Sequence, residues 1–130
     1  MNAHYAMPGF EICVSNAVLE LRTEGERTDQ DGHDTGRALD RMIRHARPRA
    51  LLFDVRSADY LLPPSRWRER VREVARVARD YPFALVGRED QRHQHEEILA
   101  AHQSMGGRSA LFTSRGAART WLKAEMDDAA

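Results

Sequence analysis

The chain has 130 residues, of which 42% are hydrophobic and 31% charged, and its twenty basic and twenty acidic side chains cancel. That length fits one domain with a core of two or three layers, and the composition is that of a folded chain, not a disordered one. Uninterrupted apolar runs are short, such as Ala50-Leu51-Leu52-Phe53, so a transmembrane helix is excluded.

Met1–Pro8 lacks the basic region and apolar core of a secretory signal, and a cytoplasmic chain is the simple expectation. These eight residues are expected to be flexible. Phe10, Ile12 and Val14, then Val18, Leu19 and Leu21, alternate loosely around Ser15-Asn16. The pattern predicts a hairpin of Phe10–Val14 and Val18–Arg22. Cys13 lies in its first strand as the only cysteine, which rules out an intrachain disulfide. With no base to activate it, Cys13 is expected to be an inert thiol. The polar stretch 23–33 reads as a loop, and Thr28 or Asp34 is placed to cap the helix that follows.

Ala38, Leu39, Met42, Ile43 and Ala46 fall on one helical face between Asp34 and Pro48. Ala50–Val55 is a nearly continuous apolar strand, as the centre of a parallel sheet requires. Ser57–Pro64 reads as a connecting loop, with Ser65 placed to cap a helix striped by Trp67, Val71, Val74, Ala75 and Ala78. Phe83–Val86 predicts a short strand. A helix over Gln94–Met105 follows, with Ile98, Leu99, Ala101, His102 and Met105 inward, and Gly106-Gly107 ends it. Ala110–Thr113 predicts the last strand, and a final helix contains Ala117, Ala118, Trp121 and Leu122. The tail from Glu125 is expected to fray. The order is a hairpin, helix–strand three times, and a closing helix. It predicts a single α/β domain spanning 1–130, with a mostly parallel sheet. Helices on one face of the sheet or on both remain open at this stage.

Leu51-Leu52-Phe53-Asp54-Val55-Arg56, Phe83-Ala84-Leu85-Val86-Gly87, and Ala110-Leu111-Phe112-Thr113 with Ala117-Ala118-Arg119-Thr120-Trp121-Leu122 carry a resemblance. In this order they resemble the bacterial SpoIIAA-like group, small STAS-type domains. Relatives of that group include anti-sigma-factor antagonists, and it shares features with CRAL-TRIO lipid-binding modules. The resemblance implies regulation through a protein partner or self-association, with a lipid or small apolar ligand as the alternative. One departure matters. Where the antagonist branch carries a phosphorylatable aspartate-serine-serine-glycine string, this chain has Leu62-Pro63-Pro64-Ser65, and Ser65 reads more simply as a helix cap.

Other chemistries find little support. His93, His95 and His102 lack the further converging ligands that zinc needs, and histidines near the loop–helix boundary, such as His93 and His95, read as solvent-exposed. No Gly-x-Ser-x-Gly elbow and no glycine-rich phosphate loop occurs. No catalytic residue, metal or cofactor is therefore expected. Residues 37–79 hold twelve arginines against five acids, while residues 1–36 hold two against seven, so a basic side is expected. Glu69 and Glu73 are expected to pair with Arg72 and Arg76 along the arginine-rich helix. No recognition motif accompanies the arginines, and nucleic acid is not an expected partner. The rim most suited to a partner or ligand runs from Asp54 at the end of the central strand through Ser57, Tyr60, Leu61, Leu62 and Ser65 to Arg68. Tyr60, Leu61 and Leu62 supply its apolar part, and Pro63-Pro64 pre-order it.

Overall fold

The computed structural model describes residues 2–129. Its strands are β1 (Ala3–Met7), β2 (Phe10–Ser15), β3 (Val18–Arg27), β4 (Ala50–Tyr60), β5 (Phe83–Val86) and β6 (Ser109–Phe112). The helices are α1 (Asp29–Ala46), α2 (Pro64–Val77), α3 (Arg92–Ser104) and α4 (Arg115–Ala129). One six-stranded sheet runs in the order β1-β2-β3-β4-β5-β6. The β1–β2 and β2–β3 pairs are antiparallel, and β3–β4, β4–β5 and β5–β6 are parallel. This is the expected mostly parallel α/β domain with a hairpin at its start.

Crossovers of one hand that step in one direction along a sheet leave their helices on one face. Ala38 and Leu39 of α1, Trp67 and Val71 of α2, and Ile98 and Leu99 of α3 accordingly share one buried cluster with Leu19, Leu21, Leu51, Phe53, Phe83 and Leu85. Among the described residues the opposite face is covered by α4 alone. Ala118 and Leu122 pack there on Ala50, Leu52, Ala84 and Val86. The central strands β4 and β5 are thus apolar on both sides, which is why they read as continuous runs. No helix among the described residues is long and apolar enough to cross a membrane.

The structure corrects several boundaries. Residues 3–7, expected to be flexible, form β1 against β2, and α4 continues to Ala129 where fraying was expected from Glu125. The expected loop 23–33 is instead the end of β3 and the first turn of α1. A capping box closes that turn, in which Thr28 Oγ1 accepts from Asp31 N while Asp31 Oδ2 accepts from Thr28 N. The expected loop from Ser57 is a continuation of β4 to Tyr60. A bulge hid this: Arg22 pairs with Asp54 but Glu24 pairs with Ser57, so β4 carries one extra residue and its alternation reverses. Ser65 does not cap α2. Pro63 holds the cap position without a side-chain bond, and Pro64 opens the helix.

Candidate functional site

A cleft of about 540 Å³ opens between α1, α2 and the sheet. Its floor is Leu21, Phe53, Val55 and Leu85, and its walls include Leu39 from α1 and Val74 and Val77 from α2. Tyr60, Leu62 and Trp67 close one end. The β4 bulge returns Tyr60 to the same face as Val55, so its ring packs 5.0 Å from Trp67. Burial raises the Tyr60 hydroxyl pKa, and this group stays neutral.

The polar part of the cleft comes from β3 and α1. Arg27 ends β3 and is only 8% exposed. Its guanidinium donates to Gly9 O, to Asp31 O and to Thr35 Oγ1, all uncharged acceptors. Burial lowers the Arg27 pKa, opposed by the Asp31 carboxylate. Gly9 permits this seat, because a Cβ there would lie 2.6 Å from Arg27 Nη1 and its φ is +90°. Thr23 Oγ1 is buried in the cleft and finds no hydrogen-bond partner among the described residues. Arg70 ties the two walls together, donating at 2.8 Å to Asp29 Oδ1 and pairing with Glu73 at 3.0 Å.

A buried polar group lies beneath Tyr60. His95, expected at the surface, has no exposed area and meets the Tyr60 hydroxyl at 3.4 Å. Burial, with the Arg88 charge nearby, holds its pKa down to about 4. His102 is equally closed off, with Nε2 2.8 Å from Ala78 O. Of the three histidines near this helix only His93 is exposed.

Two solved structures superpose on this fold. A protein of the DUF3478 family with a SpoIIAA-like fold, from Shewanella loihica PV-4, superposes with a TM-score of 0.63 at 16% identity, over 94% of this chain and 95% of that one. An anti-sigma factor antagonist from Mycobacterium paratuberculosis superposes with a TM-score of 0.64 at 12% identity, over 95% of each chain. The fold is SpoIIAA-like. No family model matches the sequence, and no curated protein matches it.

Within the SpoIIAA-like fold the expected rim divides. Tyr60 and Leu62 line the cleft, while Leu61 points away with 50% of its surface exposed. Ser57, Ser65 and Arg68 are exposed outside the cleft lining. Asp54 belongs to the opposite face of the sheet. Its Oδ1 accepts from Arg56 N at 3.2 Å and Arg56 Nε at 3.0 Å, and its Oδ2 accepts from Arg115 Nε at 2.7 Å. The bond from Arg115 docks the start of α4. On the arginine-rich helix Glu69 pairs with Arg66 and Glu73 with Arg70, each three residues before it, in place of the expected Arg72 and Arg76 three residues after. Thr23, Arg27 and Thr35 had no signal in the sequence, because the β3–α1 junction reads as a polar loop.

Proposed function

We propose that the chain is a non-catalytic regulatory module that works by binding, and that the α1–α2 cleft takes a small amphipathic molecule with an apolar body and an anionic head. The Arg27 guanidinium carries this reading. It is a desolvated cation held by uncharged acceptors at the edge of an apolar cleft. The Asp31 carboxylate is near but makes no ion pair with it. A buried charge without direct ionic contact is costly, so a carboxylate head would form charge-assisted hydrogen bonds with it. The hydroxyl of Thr23 offers a further donor, while Phe53, Val55 and Val74 would cover the apolar body. The volume exceeds the roughly 300 Å³ at which small-molecule sites begin.

Decanoate and decanol make a matched pair of probes. Decanoate is expected to raise the thermal midpoint more than decanol does. Arg27→Met, which keeps bulk and removes charge, is expected to abolish that difference, and Leu62→Trp to block both. The reading is wrong if neither probe shifts the midpoint at millimolar concentration and native mass spectrometry of freshly purified protein finds no added mass.

A second reading is contact with a protein partner through the outer rim at Leu61 and Arg68. It is supported by the exposed Leu61 side chain and by the likeness to an anti-sigma factor antagonist. Sedimentation velocity tests its self-association form: a dimer that Leu61→Asp dissociates supports it, and a monomer, or a dimer indifferent to that change, removes it.

A further inference from the structure

We propose that His4, Glu11 and Cys13 form a binding site for zinc, or a similar divalent transition-metal ion, on the face of the β1–β2 ladder opposite α1. Phe10, Ile12 and Val14 turn into the core, so Glu11 and Cys13 share the other face of β2. His4 sits directly across from Cys13 in the antiparallel register, and Glu11 is two residues before Cys13 on the same strand. Side chains placed opposite and diagonal in this way are within reach of one another. One ligand atom from each of the three residues lies within 4.8 Å of the other two, and His4 Nε2 is 2.8 Å from Glu11 Oε2.

The donor set selects the ion. An imidazole nitrogen, a sulfur and a carboxylate oxygen are the groups zinc accepts, whereas calcium and magnesium take oxygen. With bonds of about 2.0–2.3 Å, tetrahedral ligand atoms lie roughly 3.3–3.7 Å apart, so closing the site asks for side-chain shifts of about 1 Å on a backbone that the ladder already fixes. Arg22 Nε approaches the other Glu11 oxygen, Oε1, at 3.8 Å, which leaves Oε2 for the ion. His4 faces solvent, so the fourth position would hold water. Binding displaces the thiol proton of Cys13 to solvent. The ion would then fasten β1, an edge strand with β2 as its one neighbour in the sheet, to that neighbour.

Cobalt(II) is the probe, added to the full chain under reducing conditions. One equivalent is expected to bind with a thiolate-to-cobalt charge-transfer band in the near ultraviolet, and zinc is expected to displace it. Cys13→Ser should remove the band. His4→Ala should weaken binding by at least about tenfold, since even changes around a metal's ligands cost 10–100-fold. Zinc should raise the thermal midpoint of the parent chain and of neither variant. Absence of the charge-transfer band at saturating cobalt, or a His4→Ala variant that binds as tightly as the parent, would overturn the site. The side chains lie on the open face, so circular dichroism should report both variants folded. Should either fail to fold, Glu11→Gln carries the same comparison.

Discussion

Asp54 and His95 are both closed off from solvent, and their neighbours treat charge in opposite ways. Burial raises the Asp54 pKa, but hydrogen bonds from Arg56 and Arg115 outweigh it and hold the group down to about 2. A carboxylate depressed on folding stabilises above its unfolded value near 3.8, and that contribution is lost as the pH falls through 2. It amounts to on the order of 2 kcal/mol. Asp54→Asn should therefore cost about that much at neutral pH and almost nothing near pH 2, read by denaturant unfolding across the range. His95 works in a higher window. Its folded value near 4 lies below the ordinary 6.5, so the unfolded chain takes up the proton first and stability falls as the pH drops from about 6.5 to 4. The loss is on the order of 3 kcal/mol, and His95→Leu should flatten that part of the profile. Packing separates another pair. Leu122 is fully buried whereas Trp121 is only partly so. Leu122→Ala should cost about 2–5 kcal/mol and Trp121→Ala less, the reverse of what size alone suggests.

At the level of elements, the two helix starts on the cleft side differ in a way that stability measurements can resolve. Thr28 completes a capping box, and Thr28→Ala should lower stability by about 1 kcal/mol. Ser65 makes no cap bond, so Ser65→Ala should stay within about 0.5 kcal/mol. The same contrast shows what was legible in the sequence. Periodicity located α1 through α4 and the central strands, because Leu52, Phe53, Leu85 and Val86 are buried on opposite faces of one sheet and leave an apolar run. Phe112 and Trp121, read as core, are partly exposed because α4 covers its face of the sheet alone. Met105, read as inward, is 37% exposed where α3 ends. The bulge in β4 and the polar end of β3 were invisible for a different reason. Both are set by pairing with a distant strand, and local alternation carries no trace of it. His95 belongs with these, since a buried imidazole cannot be told from a surface one without its surroundings, whereas helical spacing turns His102 inward, where the structure has it.

For the whole molecule, the cleft was only half legible. Tyr60 and Leu62 stood out as apolar residues in a connection, but their partners Thr23, Arg27 and Leu39 come from segments 20 to 40 residues away in the chain and meet them only through the β3–β4 pairing. The rim that seemed continuous in sequence was divided by the sheet, with Asp54 on one face and Tyr60 on the other.

The strand order has a consequence for how the chain is made. Each strand lies beside its predecessor in the sequence, so no later segment must be threaded between two earlier ones. A chain leaving the ribosome can lay down β1, β2 and β3 as a meander and then add β4, β5 and β6 in the order of their synthesis. Three of the four helices are each completed before the strand they cross to, so each new strand meets a template with its covering helix already made. Only α4, the sole cover for the second face among the described residues, follows the strands it packs on. Until Leu122 docks, Ala50, Leu52, Ala84 and Val86 remain open to water, and chains cut short before α4 are the ones expected to recruit chaperones or aggregate.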